Sequence, residues 1–360
     1  MPDTWVRLDF APQRAIAMHR GLPLCGVFVP LCLGLLIGGL LAPERADAQR
    51  SRRAPDLSTP ESAGTDSTYI DAPPLPGVDI RKALRFQLSS GFIPAADFDP
   101  GSVDLYAPVL RGQFTLPIKD RAVVRVALQL GMSRYRFSDA APFEDVDDPL
   151  DLYTTRLSVS GAYQLTDEDW PGFFENEAWS VVGSVFGQST WEDSQIDEGA
   201  SSGIGLGLGY RIPRRLQLSL GAVVRGQLEE GGVDVGPFGS IRLKLSRNLV
   251  LRDRGLGGML EYRVRRDLEI FASMYRNSDS FRLMDRFGED DLTFRDRRWL
   301  AGGGFEYRFS RYFRMKLEAG AVTSRKIRIH SDDFGGSILS ESSDPSAYFD
   351  VRFEIRPGGR

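Results

Sequence analysis

Apolar and polar residues alternate one by one along most of the chain, in long runs that start near Leu84 and continue to the C-terminus. In residues 203–212 the apolar side chains alternate with glycines, and in residues 314–321 they alternate mainly with charged residues. Successive side chains of a strand point to opposite faces, so this period predicts strands with one apolar and one polar face. Many runs exceed the usual five or six residues and match the roughly 9–11 residues of a membrane-crossing strand.

The runs predict an all-β fold of about fourteen strands. Thirteen segments stand out on alternation alone, and a weak fourteenth at 249–254 is required because an even number of strands must separate two tight turns on the same side. Without the weak segments at 84–92 and 249–254 the count would be twelve. The predicted strands lie near 84–92, 102–117, 121–137, 151–165, 178–191, 202–212, 215–228, 234–246, 249–254, 259–266, 268–276, 293–310, 312–330 and 347–356.

One short phrase, an aromatic residue, an arginine, a tight turn and a new run of alternation, occurs three times. It reads "YRIPRRLQLSLGAVV", "YRVRRDLEIFASMY" and "YRFSRYFRMKLEAGA". Tyr210, Tyr262 and Tyr307 begin these phrases, and Tyr163 holds a similar position two to four residues before a turn. Tyrosines at a fixed depth are typical of the aromatic girdle at a membrane interface. The alternative is that strands simply favour tyrosine, as they also do in soluble sandwiches.

The connections between strands differ strongly in length. "PIKDRA", "IPRRL", "VRRDL" and "FSRYF" are tight, whereas "SDAAPFEDVDDPLD", "WEDSQIDEGASS", "NSDSFRLMDRFGEDDL" and "HSDDFGGSILSESSDPSA" are long and mostly acidic. Short periplasmic turns and long external loops are the signature of outer-membrane barrels. Because lipid offers no partner for backbone groups, such strands must close on themselves. The pattern therefore predicts an antiparallel up-and-down transmembrane β-barrel with a polar interior.

The N-terminal part of the chain predicts export. Basic residues precede an apolar run, Gly21–Leu41, and Ala46-Asp47-Ala48 fits the small-residue rule for signal cleavage, so residues 1–48 are predicted to be a signal peptide. Met18 could serve as the true start, and the competing interpretation of the apolar run is a membrane anchor. Residues 49–80 predict a disordered Pro/Ser-rich linker, and 81–360 the barrel. The only two cysteines lie within the predicted signal, which excludes disulfides from the mature chain.

Composition adds little to this picture. The 360 residues are 42% apolar, and 45 basic against 49 acidic residues leave a net charge of −4. That near-balance gives no electrostatic footprint for nucleic acid as a partner. The expected partners are outer-membrane lipid, lipopolysaccharide and the barrel assembly machinery.

The segments "GLGYRIPRRLQLSLGAVVRG", "GMLEYRVRRDLEIFASMYR" and "GGGFEYRFSRYFRMKLEAGAV" resemble an uncharacterised family of bacterial outer-membrane β-barrel proteins, a domain of unknown function. The resemblance covers roughly Leu84 to the C-terminus, and it implies a fold and a compartment without an activity. Outer-membrane barrels usually end on an aromatic residue that the assembly machinery reads. Here Phe353 and Ile355 are followed by "RPGGR", so that signal is displaced.

The sequence carries few candidates for chemistry, and no pattern predicts a cofactor or a dedicated metal site. His330, beside Ser331, is the only histidine after the predicted signal, but neighbours on a strand point to opposite faces, so the pair would not meet easily. The acidic runs "DSQIDE", "EDVDD" and "GEDDL" could bind Ca²⁺ or bridge lipopolysaccharide through cations; solvated loops are the simpler interpretation. Enzymatic activity is therefore not expected.

The polar faces of the strands supply the candidate functional surface. They predict a lumen lined by Arg111, Arg125, Arg211, Arg225, Arg242, Lys244, Glu261, Arg263, Glu306, Arg308, Lys316, Glu318, Arg352 and Glu354. Opposite charges on neighbouring strands would pair across the interior, and an excess of unpaired arginine would favour anions. The leading hypothesis is a passive pore or small-solute transporter. The alternatives are a structural or surface-interaction barrel and, third, a lipid-modifying outer-membrane enzyme.

Overall fold

The computed structural model describes residues 75, 83–98, 101–118, 121–139, 143, 149–165, 178–192, 199–226, 233–284, 292–331 and 336–357. The predicted signal peptide, and the predicted linker apart from Leu75, lie outside the described residues. Among the residues described, no helix is long and apolar enough to cross a membrane.

Fifteen strand segments make up the described fold, and they form one sheet that is antiparallel except for a single parallel pair between β11 and β5. Their bounds are β1 Ala83–Asp97, β2 Ser102–Ile118, β3 Ala122–Ser138, β4 Leu150–Gln164, β5 Trp179–Glu192, β6 Ala200–Ile212, β7 Leu216–Gly226, β8 Val233–Lys244, β9 Leu249–Asp253, β10 Leu256–Arg263, β11 Leu268–Arg282, β12 Leu292–Arg308, β13 Phe313–Ser331, β14 Gly336–Ser343 and β15 Ser346–Ile355.

The sheet closes into a barrel because β15 pairs with both β13 and β1. β14 and β15 share the partner β13 at different heights, with β14 beside Arg325–Ser331 and β15 beside Phe313–Val322. The two segments therefore occupy one position in the wall, and the barrel has fourteen positions. This confirms the predicted fold class and strand number. The weak strand near 249–254 exists as β9, so the alternative of twelve strands is wrong.

The outer surface of the barrel carries the apolar face of each strand. Leu206 is 66% exposed, Val185 is 55% exposed and Leu157 is 52% exposed. The residues that alternate with them along each strand face inward. A soluble barrel would bury these side chains, because each large apolar side chain left in water costs roughly 1.5–3 kcal/mol. The exposed apolar belt and the closed antiparallel wall define a transmembrane barrel of the outer-membrane type.

The two ends of the barrel differ. At the short-turn end, defined here by the turns 213–215, 264–267 and 309–312, the strands begin and end close together. β4 ends and β5 begins at this same end, at Gln164 and Trp179, and the segment of the sequence between them is longer than these turns. At the opposite, long-loop end the strands reach unequal heights. β9 and β10 stop early at a turn through Arg254 and Gly255, while β5 and β11 continue until Arg282 pairs with Trp191.

Two of the predicted loops contain strand, which corrects the sequence interpretation. Residues 277–282, expected in a loop, continue β11, and residues 336–343 form β14. Both extensions pair with neighbouring strands: Arg282 lies opposite Thr293 of β12, and Ser342 opposite Lys326 of β13. Their polar sequences hide strands because the faces of the wall exchange roles at this height.

Near the long-loop end the apolar side chains turn inward. On β3, Val126, Leu128 and Leu130 are exposed, but further along Tyr135 and Phe137 are buried inside the barrel. The same exchange occurs on the other tall strands. The buried side chains form one cluster, here called the apolar seal, made of Ile93, Ala96, Phe98, Val103, Leu105, Tyr135, Phe137, Phe143, Leu150, Leu152, Tyr275, Phe281, Leu283, Leu292, Phe294, Leu300, Val322, Ile327, Ile329 and Tyr348.

Candidate functional site

The interior of the barrel below the apolar seal is the candidate functional site. All fourteen residues predicted to line the lumen lie at positions that alternate with the exposed apolar belt, and therefore on the inward side of the wall. Arg125, Lys316, Glu318, Arg352 and Glu354 are among the most buried of them, at 2–5% exposed. Deep burial of charged side chains requires close partners, since an isolated charge is costly to remove from water.

Ion pairs link many of these side chains across neighbouring strands. An Arg225 nitrogen lies 2.6 Å from an Asp234 oxygen, and Arg263 lies 2.6 Å from Glu269. These two pairs connect β7 to β8 and β10 to β11, as the register predicts for residues that lie opposite each other. Arg314 donates to Glu306 at 3.1 Å between β13 and β12, as a diagonal pair, because the residue directly opposite Glu306 is Lys316. The sequence prediction contained the arginine of each of the first two pairs and omitted their partners, Asp234 and Glu269.

The centre of the interior is organised around Arg254, which the sequence prediction missed. It occupies the two-residue turn between β9 and β10, where Gly255 adopts φ +55°, a conformation that favours glycine. The guanidinium lies over the Tyr275 ring at 3.8 Å from its centroid and donates to Glu318 at 2.6 Å. Tyr348 also donates its hydroxyl to Glu318, at 2.7 Å. The motif "RDRG" could have indicated a tight turn, but nothing in it indicates that the arginine points inward.

Lys316 lies nearby in an unusual setting for an ammonium group. Its Nζ is 3.5 Å from the Met259 sulfur and 4.0 Å from the centroid of the Phe271 ring. A cation over an aromatic face is attracted by the ring quadrupole, and a desolvated site strengthens the attraction. Glu318 lies two residues further along β13 on the same face as Lys316. It is the carboxylate on β13 that the sequence analysis placed in the lumen.

A cavity of about 110 Å³ lies where the charged layer and the apolar seal meet, since Arg254 and Arg352 line it together with the seal residues Tyr275 and Tyr348. Its walls carry donors and acceptors from β1, β2, β3, β11 and β15, and its upper side consists of seal residues such as Leu105 and Leu300. Several water molecules fit such a volume, and a polar lining gives them partners. The polar lining includes Gln87, Ser89, Arg111, Gln129, Arg254, Asn277, Arg298, Asp350 and Arg352.

A second charged layer lies at the level of the seal itself. Asp296 accepts from Arg325 at 2.9 Å and from the Tyr135 hydroxyl at 3.1 Å. Arg298 pairs with Asp279 and approaches Asp296 to 3.7 Å. Two carboxylates thus face two guanidinium groups, and the layer is neutral although its members are almost fully buried.

One apolar residue of the N-terminal region also enters the interior. Leu75 is 2% exposed and packs with Val123, Ala162 and Val182 near the short-turn end. A Cβ on Gly209 would collide with the Leu75 side chain, so the small residue on β6 makes room for it. The sequence prediction assigned this region to a linker and gave Leu75 no role.

The remaining predicted residues take the following positions. Tyr163, Tyr210, Tyr262 and Tyr307 all lie on the outward face near the short-turn end, and Tyr163 and Tyr262 are 43% and 44% exposed. His330 is half-buried and Ser331 is fully buried, on opposite faces of β13. "DSQIDE" and "EDVDD" lie outside the described residues, as does "GEDDL" apart from Leu292. Within the described part of the chain, no group of three or more His, Cys, Asp or Glu side chains could hold a metal ion.

Comparisons with known proteins find similar solved structures but no matching family and no matching curated protein. No protein-family model matches the chain, and no curated protein matches it. Among solved structures, an outer membrane channel from Pseudomonas putida F1 is 10% identical, with 80% of this chain and 99% of that chain covered, at a TM-score of 0.40.

Two further solved structures cover similar shares of the chain. The Pseudomonas putida toluene transporter TodX is 12% identical, with 82% of this chain and 96% of that chain covered, at a TM-score of 0.35. The translocator domain of the autotransporter NalP from Neisseria meningitidis is 11% identical, with coverage of 77% and 90%, at a TM-score of 0.30. The description of the first of these structures names it an outer membrane channel. The barrel fold of the present chain follows from its own strand pairing.

Proposed function

We propose that this protein is an outer-membrane channel through which small polar solutes pass, with its outer end closed in the present state. The observation that supports this most is the cavity inside the barrel, which is lined by both polar and apolar side chains, because a purely structural barrel would gain stability by filling that volume. Its lining of amide, hydroxyl, guanidinium and carboxylate groups suits solutes with several hydrogen-bonding groups.

The apolar seal determines how such a channel would work. A hydrophobic constriction stops the passage of water and ions by dewetting, so a barrel with this seal conducts only when the seal rearranges. We therefore expect rare or short openings rather than the steady current of an open pore. The charged lining at Arg111, Arg352 and Asp350 then selects among solutes below the seal.

A matched pair of substitutions tests the route through the cavity. Ser89 lines the cavity, and Ser90, the next residue of β1, lies on the opposite face. The Ser89→Trp variant should reduce the flux of a small sugar into vesicles that contain the purified barrel, because the indole fills the cavity. The Ser90→Trp variant should leave the flux unchanged. Equal fluxes in both variants would contradict the proposed route.

A second candidate function, a structural barrel without transport, is favoured by the seal itself. The Phe294→Ala variant separates the two, because Phe294 is fully buried in the seal and its ring lies 4.8 Å from that of Tyr135. For a channel, solute flux should be measurable in the unaltered protein and should rise in this variant. Flux in the variant alone would favour the structural barrel, and no flux in either protein would exclude the channel. As a folding control, each purified barrel should remain folded in detergent until the sample is heated.

A further inference from the structure

The exchange of faces near the long-loop end leaves a cluster of cations on the outside of the wall. β12 presents Arg295 and Arg297 outward, and β13 presents Lys326 and Arg328. The register sets Arg295 directly opposite Arg328, and Arg297 directly opposite Lys326. Like charges in opposed positions of neighbouring strands destabilise a sheet. Two such pairs lie side by side, so an anion bound at this height would reduce the repulsion between them.

The wall on either side of this cluster supplies hydroxyl groups. On β11, Ser278 and Ser280 lie opposite Arg297 and Arg295, and on β14, Ser342 and Ser340 lie opposite Lys326 and Arg328. None of these four flanking positions carries a carboxylate. Among the described residues, the acids of this level, Asp279, Asp296 and Glu341, lie at inward positions, with Glu341 opposite the buried Ile327. The outward face thus offers a row of donors across four strands.

Two members of the cluster lack a partner of opposite charge in the described part of the chain. Neither Lys326 nor Arg328 forms an ion pair with any residue that the structure describes, although both are half-buried. The Arg328 Nε is buried and has no hydrogen-bond acceptor among those residues. A buried donor without an acceptor is costly, so this nitrogen points to a ligand that supplies one.

The depth of the cluster identifies the kind of ligand. Trp299 lies two residues after Arg297 on the same outward face of β12, is 37% exposed, and marks the aromatic boundary of the lipid-facing belt. The four cations begin one step beyond that boundary, toward the long-loop end, where we expect the headgroups of the outer leaflet. Arginine forms paired, charge-assisted hydrogen bonds with phosphate, and lysine adds a point charge.

We propose that Arg295, Arg297, Lys326 and Arg328 form a binding site for the phosphate groups of an outer-leaflet glycolipid. The site lies on the outside of the barrel, so it is independent of the cavity and of any transport. Its role is to anchor one lipid against β12 and β13 at the height where the wall leaves the membrane. The flanking serines supply hydroxyl groups for the same phosphates.

The test compares lipid binding by two full-length variants, each with four substitutions. The first replaces Arg295, Arg297, Lys326 and Arg328 by glutamine. The second, a control, replaces the same number of exposed arginines at the short-turn end, Arg215, Arg265, Arg266 and Arg311, by glutamine. The probes are lipid A with two phosphates and lipid A without phosphate, each titrated onto the purified barrel in detergent and measured by native mass spectrometry.

We expect bisphosphorylated lipid A to bind the unaltered barrel and the control variant equally. Its affinity for the first variant should fall by about tenfold or more. Unchanged binding by the first variant, an equal loss in the control, or equal binding of lipid A without phosphate would each overturn the proposal. Displacement of the lipid by millimolar inorganic phosphate would show a site for soluble anions and would also overturn it. The double variant Arg295→Gln with Arg328→Gln, with an expected intermediate loss, serves if the fourfold variant does not fold.

Discussion

Replacement of Asp296 by asparagine should destabilise the barrel strongly, because it removes one of two negative charges from a buried and neutral layer. Asp296 is fully buried and contacts Arg325, the Tyr135 hydroxyl and, at 3.7 Å, Arg298. In the Asp296→Asn variant, Asp279 alone would face two guanidinium groups. Removal of one partner from a buried ion pair costs about 3–5 kcal/mol in the free energy of unfolding. The hydrogen bond to the amide oxygen can persist, so we expect the lower part of this range.

The assay is equilibrium unfolding by guanidinium in phospholipid vesicles, followed by tryptophan fluorescence. The control is Asp151→Asn, which removes the same charge from an ion pair with Arg134 on the outward face. That pair has good geometry, with a nitrogen–oxygen distance of 2.7 Å, but its side chains are 37% and 27% exposed, so solvent screens it. The control should therefore unfold at nearly the same guanidinium concentration as the unaltered protein.

A second substitution decides whether charge balance is the cause. Combining Asp296→Asn with Arg325→Met makes the layer neutral again, and buried ion pairs replaced by apolar residues are often close to neutral in stability. The double variant should therefore regain most of the loss. A cost of less than about 1 kcal/mol for Asp296→Asn, or a double variant less stable than the single one, would refute the idea that charge balance stabilises the seal.

Three further predictions follow from the wall and the N-terminus. Gly207→Ala should lower the free energy of unfolding by about 2 kcal/mol or more, because the new Cβ would collide with the backbone of β7, while Gly187→Ala, with open space around it, should have little effect in the same unfolding assay. Leu206→Arg, in the middle of the exposed belt, should reduce membrane insertion by about 2–4 kcal/mol, and Val233→Arg, at the end of β8, should cost less; the amount of folded barrel in isolated membranes measures both. Mass spectrometry of the mature protein should give an N-terminus at Gln49, and a mass that retains residues 1–48 would contradict the predicted cleavage.

The sequence predicted the wall of the barrel well because one strong force shapes it. Lipid selects apolar side chains on every second position of every strand, so alternation identifies the strands, and the tight turns fix their direction. Even the five-residue strand β9 followed from the parity of the turns. The inward positions of the charged residues followed from the same alternation, without any knowledge of their partners.

The organisation of the interior could not be predicted in the same way. Arg254 lies in a turn, where no alternation exists to indicate its direction, and its partner Glu318 is 64 residues away along the chain. Leu75 precedes the first strand, in a segment whose composition is typical of a linker. Both contacts depend on which strands face each other across the barrel. The local sequence pattern contains no information about that arrangement.

The apolar seal was missed for a different reason, which concerns the height at which a strand leaves the membrane. Above the lipid the outside of the wall meets water, so the apolar face must move inward. β12 achieves this by a change of pattern. Between Trp299 and the short-turn end its apolar residues on the outside stand at odd positions. Toward the long-loop end its apolar residues stand at even positions, such as Phe294, and point inward. β13 has apolar residues at odd positions on both sides of this height, as at Leu317 and Ile327, and a register shift beside Trp299 reverses its faces between them.

The two devices on β12 and β13 act at the same height, since the register shift lies between Trp299 and Leu300. A bulge adds one residue to one strand and turns the following side chains to the other face. An unbroken alternation can therefore hide an exchange of faces, and only the neighbouring strand reveals it. The same exchange explains why buried apolar residues and outward cations occur together: each residue that moves inward to the seal leaves a neighbour facing the headgroups. Arginine and lysine at those outward positions are thus a consequence of the boundary, and their grouping on two adjacent strands is what makes a phosphate site.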